Sequence, residues 1–532
     1  MTALVTKHLP LVAGAPDGIK KLRALILDLA IRGKLVQQDP EDIHAEVLLR
    51  EARDARSSKQ SAKKAMMSSG RTPADASLLV DLPAGWVWTT LADVALINPR
   101  NSADDTLLVS FVPMAMIGAR FDSGHEQEIR TWGEVKQGFT HFAEGDVGVA
   151  KITPCFENSK ACVFSGLSNG VGAGTTELHV VRPLAKALVP RYVLAYLKSP
   201  WFLTTGETKM TGTAGQKRLP KDFVETRPFP LPPLAEQHRI VTKVDELMAL
   251  CDRLEADQAD AEVAHAQLVQ VLLDCLTQAS DAADFRASWQ RLSEHFHTLF
   301  TTEASIDALK QAVLQLAVMG KLVPKEANCS EWHWTTLGTL ITDMDAGWSP
   351  ACEDLPSPSP EIWGVLRTTA VQRMEYVEKE NKQLPTHLDP RPTAEVKQGD
   401  VLFTRAGPMN RVGISCLVES TRPKLMLSDK IIRFRPKSNA LDGRFTVLCL
   451  NAGATAKYLE EAKSGMAASQ VNISQAKLKA APIPTPPISE QLRIVAKVDE
   501  LMALCDQLKA QLQQSRQQHA QLASVLVEQA VA

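Results

Sequence analysis

Apolar positions in this chain fall into two kinds of pattern, and the same succession of patterns occurs twice. Ile240, Val244, Leu247, Cys251 and Leu254 step by four and three, as do Ile494, Val498, Leu501, Cys505 and Leu508, with charged residues between them. That heptad-like spacing predicts helices carrying one apolar seam. Prolines precede both seams and none interrupts them, so an unbroken helix from Glu236 to about Leu276 is expected, spanning about 60 Å. Earlier in each half, Leu22, Leu25, Ile26 and Leu29, and then Leu309, Val313 and Leu316, follow helical spacing. Gly33 and Gly320 sit where a C-cap glycine belongs. Between the helices lie two blocks of short alternating runs. DVGVAKI (146–152) and DVLFTRA (400–406) read as strands after a turn, and RYVLAYLKS and FTVLCLNAG as short helices.

At its edges the succession is a literal repeat. PLPPLAEQHRIVTKVDELMALCDRLEA (230–256) and PTPPISEQLRIVAKVDELMALCDQLKA (484–510) are identical at 20 of 27 positions, at an offset of 254. IKKLRALILDLAIRGKLV (19–36) and IDALKQAVLQLAVMGKLV (306–323) share nine of 18 positions, at an offset of 287. GWVWTTL (85–91) and EWHWTTL (331–337) open the two blocks. Inside the blocks the 254-residue register survives at few points: Gly145-Asp146-Val147 against Gly399-Asp400-Val401, and Gln216 against Gln470. A shared frame around two divergent inserts implies one molecule presenting two different readers.

The expected fold class is therefore α+β. Two domains of mixed α/β-sheet type are separated by long antiparallel, coiled-coil-like helices in a pseudo-two-fold repeat. The expected boundaries are a helical arm and linker over 1–84, a first block over 85–234, a central helical region over 235–328, a second block over 329–488 and a helical region over 489–532. The two nearly identical seams are expected to pack on each other. Residues 37–84 read as a polar, mobile connector, and 281–305 as a turn and a further helix.

Composition narrows the class. At 532 residues the chain has room for three or four compact units. Its 45% hydrophobic and 23% charged residues are those of a soluble globular protein. No run of 18 apolar residues predicts a membrane span, and the N-terminal MTALVTKHLPLVAGAPDG does not read as a signal peptide. Nine cysteines without a CxxC pair fit reduced thiols in the cytoplasm. The net charge of −2 argues mildly against nucleic acid, but phosphate binding depends on a face, not on the whole-chain sum. Lys397 to Lys437 carries nine Lys or Arg, opposed only by Asp400, Glu419 and Asp429. A solvated face of mixed charge is the competing reading there. The first block, 86–233, is nearly neutral, with 15 basic against 14 acidic residues.

No catalytic constellation emerges. GxxxxGK[ST] is absent, GVGAG (170–174) lacks full dinucleotide-loop spacing, and no N/D-P-P-Y/F methyltransferase motif occurs. Glu134-Val-Lys136 and Glu395-Val-Lys397 resemble the tail of a nuclease site but lack a convincing upstream Asp. His238, His265, His295 and His297 lie on helices without metal-ligand partners. What remains is recognition. Lys151 and Arg405 occupy equivalent places after each GDV strand, where they can hold phosphate, and Arg can also grip guanine. Gln216, Lys217 and Arg218, and Gln470 and Asn472, sit in small-residue loops from which amides can pair with adenine edges. Arg411, in the basic run, joins this candidate set. Each of these loops also reads as a plain connection.

The helix ending LAIRGKLVQQDPED, the GWVWTTL opening, the GDV strand, the Gln-rich loop and PLPPLAEQHRIVTKVDELMALCDRLE together resemble a type I restriction–modification specificity subunit. The resemblance covers nearly the whole chain, and the doubled P-x-P-P-x-x-E-Q-x-R-I-V helix carries most of its weight. It implies that each block is a target recognition domain reading one half of a bipartite double-stranded DNA sequence. The helices from Glu236 and Glu490 would set the spacing and dock two modification subunits, with Arg239, Val244, Leu247, Arg493, Val498 and Leu501 as the docking residues. It implies no cofactor in this chain. S-adenosylmethionine, ATP and Mg are expected on the partners, the modification subunits and the restriction/translocase subunits. Two other classes stay open: a coiled-coil scaffold without DNA readout, and a self-sufficient DNA methyltransferase or nuclease.

Overall fold

In the computed structural model, residues 9–59, 81–184, 187–213, 215–324 and 332–531 are described. The chain divides into two units, residues 1–261 with 515–532 and residues 262–514. The division falls inside both long helices, Leu234–Gln278 and Ile488–Val531.

The first unit holds a four-stranded antiparallel sheet in the order Ala95–Ile97, Leu178–Pro183, Val147–Ala150, Ala161–Val163. A second sheet orders Glu128–Thr131, Leu108–Val112, Val171–Gly174 and Thr140–Ala143, with its two central strands parallel. The second unit rebuilds the first of these sheets as Ile341–Ala346, Ile431–Pro436, Val401–Thr404 and Ser415–Leu417. The GDV motif starts the third strand of both. Gly145 and Gly399 take φ of +80° and +87°, a region open to glycine, and turn the chain. The Asp that follows is buried and caps that turn. Asp146 accepts the Ala143 N–H at 2.7 Å and the Arg182 guanidinium, and Asp400 accepts the Lys397 N–H at 2.8 Å and Arg435. A short apolar run can then enter the sheet fully buried, as Val147–Ala150 and Val401–Thr404 do.

Each block closes where it opens. Val87–Thr90 pairs antiparallel with Pro228–Leu231, and His333–Thr336 with Pro482–Thr485. The closing strands carry Pro228 and Pro230, and Pro482 and Pro484, which lack an N–H and so suit two-stranded edges. Immediately afterwards, Gln237 and Gln491 are fully buried at the start of the long helices. The Gln237 Oε1 accepts the Val189 N–H at 2.8 Å, while Nε2 donates to the Ala187 and Pro232 carbonyls at 3.0 and 3.1 Å. Gln491 does the same with the Asp442 N–H at 2.8 Å and the Ala440 and Pro486 carbonyls at 3.1 and 2.8 Å. Two turns further along, Arg191 pairs with Asp245, and Arg444 with Asp499.

The expected stripe-on-stripe packing is not what forms. Ile240, Val244, Leu247, Met248 and Cys251 share a cluster with Leu22, Leu25, Ile26 and Leu29 of the arm helix Gly18–Ile31, and with Ala523 and Ala530. In the second unit Ile494 and Val498 meet Val313, Leu314 and Ala317 of Glu303–Val318, while Cys505 clusters with Val269, Leu273 and Ile306. Each seam is thus covered by its arm helix and by the distal part of the other long helix. The arm helices are the repeated partner that the repeated seam requires, since both carry a broad apolar face.

The connector expected over 37–84 also needs correction in its first half. Ala45–Lys59 is a helix whose Ala45, Leu48, Leu49 and Ala52 are buried against the first block. Its apolar stripe is narrow enough for the polar composition to mask it. Residues 60–80 of that connector lie outside the described residues. The segment 281–305 contains the helix Ala282–Glu294 and the turn Phe296–Leu299 before the second arm helix begins.

Removing the buried amide tests the anchoring. Gln237→Ala strips partners from one N–H and two carbonyls, at about 1–3 kcal/mol for each group left unsatisfied. A net loss of about 3 kcal/mol is expected after local relaxation, read as faster amide hydrogen exchange at 187–193. Gln491→Ala is expected to act at 440–446 instead. Unchanged exchange at those segments would refute the anchoring role.

Candidate nucleic-acid interface

Both blocks carry an exposed hairpin laid against the segment that follows the GDV strand. In the first, Thr211–Thr213 pairs with Gln216–Arg218. The Lys151 carbonyl accepts the Leu219 N–H at 2.7 Å, and Ile152 bridges Arg218. Thr153 donates its N–H to the Lys217 carbonyl at 3.0 Å and accepts the Lys217 N–H on its hydroxyl at 3.1 Å. In the second, Ser464–Ala467 pairs with Gln470–Asn472, which pairs in turn with Ala406–Gly407. There the Arg405 carbonyl accepts the Ile473 N–H at 2.8 Å. A Cβ at Gly212 or Gly465 would stand 2.6 or 2.3 Å from the carbonyl oxygen of Gln216 or Gln470, so both hairpins need glycine where their strands approach.

The fold therefore brings Lys151 together with Gln216, Lys217 and Arg218, and Arg405 together with Gln470 and Asn472. Gln216, Lys217, Gln470 and Asn472 are exposed on their strands. Arg218 is held flat by both carboxylate oxygens of Glu177, at 2.9 and 2.8 Å. That contact keeps the Glu177 carboxyl below its ordinary range. Arg411 leaves the set: its guanidinium donates to the Thr368 and Val371 carbonyls and to Gln372, locking the interior of its own domain.

Charge pairing explains how a nearly neutral block offers a basic face. In the first block Arg120, Arg130, Lys136, Arg182, Arg191, Arg218 and Lys221 are all paired with carboxylates. Among the described residues of 86–233, Lys151, Lys209 and Lys217 have no hydrogen-bonded or ion-paired side-chain partner. All three lie at the hairpin or at the end of the helix Pro200–Lys209 leading into it. The basic run 397–437 is not one face. Arg433 pairs with Asp345, Arg435 with Asp400 and Lys424 with Glu361, while Arg422 and Lys437 donate to carbonyls. Arg405 keeps its head free among the described residues, beside Lys430, whose carbonyl accepts the Arg405 N–H at 2.9 Å. Lys430 belongs to the basic run of the sequence but not to the candidate set; strand pairing singles it out by placing it beside Arg405.

The nuclease-like triplets are structural. Glu134 caps Thr131 in a capping box, Lys136 pairs with Asp105, and Glu395 accepts the Lys424 N–H. No group of three or more metal-ligating side chains occurs among the described residues.

The expected docking residues prove interior or engaged. Val244, Leu247 and Val498 are buried and Leu501 is half-buried. Arg239 pairs with Asp42 at 2.5 Å, and Arg493 donates to the Pro324 carbonyl. The long helices instead expose Leu268 and Val271, and Leu522 and Val525, each about half accessible. These pairs lie at the same 254-residue offset, inside HAQLVQVL (265–272) and HAQLASVL (519–526). The repeat at this offset therefore extends past 256 and 510, to Leu272 and Leu526.

Two modules of one plan, each with its own exposed strand platform on a shared helical frame, define a paired recognition protein. The family described as the type I restriction modification DNA specificity domain matches residues 83–265 and 371–515. The specificity subunit of the type I restriction enzyme EcoEI of Escherichia coli is 50% identical, over 97% of this chain and 94% of that protein. That of EcoAI, also from Escherichia coli, is 38% identical over the same shares. A solved chain from work on complex assembly and conformational transition of the type I R-M system aligns with a TM-score of 0.50 at 19% identity. It covers 85% of this chain and 99% of that one, and bears on the fold alone. The chain belongs to the type I restriction–modification DNA specificity family. Among the described residues no helix is long and apolar enough to cross a membrane.

Salt dependence separates positioning contacts from base readout. Lys151→Ala and Lys217→Ala are each expected to weaken DNA binding across all sequences and to flatten the log K against log salt slope by about one. Gln216→Ala and Gln470→Ala are expected to leave that slope unchanged and to relax sequence preference by about 1–3 kcal/mol per lost base contact. Identical slopes for Lys217→Ala and the native chain would place the phosphate face elsewhere.

Proposed function

We propose that each of the two domains reads one half of a bipartite double-stranded DNA target, and that the long helices set the gap between the halves. The observation that carries this reading is the repeated frame around divergent inserts. The GDV turn, the buried Gln and the paired opening and closing strands recur, while the residues on the hairpins differ: Gln216, Lys217 and Arg218 against Gln470 and Asn472. The free cations gathered at both platforms supply sequence-independent grip, and the exposed amides supply discrimination.

Two modification subunits dock on the frame, one over Leu268 and Val271 and one over Leu522 and Val525. Identical exposed apolar pairs at equivalent positions suit two copies of one partner, and an exposed pair of this kind on a helix favours a helical apolar face opposite. The chain contributes recognition, and the chemistry resides elsewhere in the complex. S-adenosylmethionine serves adenine methylation on the modification subunits, and ATP and Mg serve the restriction/translocase subunits that join for cleavage. The complex acts on cytoplasmic DNA.

Sequencing the methylated adenines of cells that express this chain with its modification partner tests the reading directly. A two-part motif with a fixed gap is expected, and a continuous motif or none would sink it. Inserting four residues, about one helical turn, within 236–276 is expected to change the gap and leave both half-sites intact. Leu522→Asp is expected to cut bound modification subunits from two to one by light-scattering mass, and Leu268→Asp with Leu522→Asp to abolish docking. Retention of both copies by the double variant would move the docking surface off these pairs.

A further inference from the structure

The first recognition domain contains a charged node that the second lacks. Lys198 caps the helix Pro190–Leu197, and its side chain is buried, 4% exposed as a residue. Its Nζ donates to the Ser159 carbonyl at 2.7 Å and to the Ala119 carbonyl at 2.8 Å. A buried ammonium is costly unless it is hydrogen-bonded, and these two carbonyls are the partners that hold it there.

Both carbonyls lie on segments with a further attachment. Ser159 lies near the end of the loop 152–160, whose Thr153 exchanges two hydrogen bonds with Lys217 on the hairpin. Ala119 precedes Arg120, whose guanidinium pairs with Asp252 and Glu255 on the long helix. The route from frame to platform therefore runs through Asp252 and Arg120, across Lys198 to Ser159, and along the loop to Thr153 and Lys217.

The equivalent helix of the second domain, Gly443–Asn451, ends in Asn451. RYVLAYLK (191–198) aligns with RFTVLCLN (444–451), placing Asn451 where Lys198 stands. Asn451 is neutral and bonds to Ser415 and the Val447 carbonyl. The two domains thus share the joint and differ in its charge.

We propose that Lys198 is a positioning residue for DNA readout by the first domain: its ammonium holds loop 152–160, and through it the Lys217 hairpin, to the segment fixed on the long helix. The inference rests on the reading of that hairpin as a DNA-contact face. Burial lowers the Lys198 ammonium to about 8, so raising the pH through that value removes the charge that strengthens both bonds. The groups that act on it are the Cys162 thiol on Ala161–Val163 and Asp122 on the 117–125 loop. Burial pushes Cys162 up to about 12, so it stays protonated over that range, and Asp122 is paired with Arg120. Lys160 points its ammonium at the Met114 carbonyl.

The test uses the full chain assembled with its modification partner, methylating a random duplex library at about pH 7.5 and about pH 9, with both half-sites scored in one reaction. The native chain is expected to lose discrimination at the first half-site on going to the higher pH, relative to the second. Lys198→Met is expected to show about tenfold relaxation at the first half-site already at the lower pH, with no further pH effect there. Equal loss at both half-sites, or native discrimination in Lys198→Met, overturns the proposal. If that variant does not fold, the native pH profile decides, and a constant ratio between the half-sites overturns it. Gln216→Ala separates the two levels of inference. If it leaves discrimination at the first half-site untouched, the hairpin reading fails; if it relaxes the first half-site while Lys198→Met does not, only the role of Lys198 fails.

Discussion

Each recognition domain must leave the frame where it enters, because the strand that opens it is hydrogen-bonded to the strand that closes it. Val87–Thr90 on Pro228–Leu231, and His333–Thr336 on Pro482–Thr485, hold the ends of two long inserts a strand's width apart. Everything downstream depends on that closure. It delivers Gln237 and Gln491 to the first turn of each long helix, where their amides reach the chain just ahead of Pro190–Leu197 and Gly443–Asn451. Those helices then reach back to the long helices through Arg191–Asp245 and Arg444–Asp499. Ring closure over so many residues is entropically unfavourable, and the ladder, the buried amide and the ion pair offset it at one corner of the domain.

The frame is symmetric where it grips and asymmetric beside the grip. In the first half the buried Glu236 accepts hydrogen bonds from Trp86 and Gln38, each at 2.8 Å, and burial lifts its carboxyl above the ordinary range. The first half also carries the helix Ala45–Lys59, packed beside the opening strand. The first domain is thus held by an arm as well as by the frame, and the buried Lys198 ammonium ties its loop 152–160 to the segment that Arg120 fixes on the long helix.

Much of this was legible in the sequence, for physical reasons that differ by element. The long helices, arm helices and GDV strands announce themselves through period and punctuation, because burying one face of a helix or both faces of a strand constrains each residue in the series. The platform residues Lys151, Arg405, Gln216 and Gln470 were reachable because the repeat register survives beside the hairpins while the surrounding side chains vary. The seam was misassigned because an apolar stripe states that something covers it and says nothing of what. Val244, Leu247 and Val498 face arm helices and their own domains, so residues that read as a docking surface became interior. Arg411 and the basic run failed for a related reason. Charge along the chain gives no hint of which carboxylate or carbonyl the fold will place opposite, and Asp345, Asp400 and Glu361 cancel much of what composition suggested.

The glutamine joints have an evolutionary consequence. Gln237 addresses the Val189 N–H and the Ala187 and Pro232 carbonyls, and Gln491 the Asp442 N–H and the Ala440 and Pro486 carbonyls. Every partner is main chain, a chemical group that all inserts possess whatever their side chains. Selection can therefore rewrite the interior of a domain, and the bases it prefers, without renegotiating its attachment. A grip on backbone makes the frame indifferent to what it carries, and so allows a lineage to acquire new DNA targets by importing foreign readers.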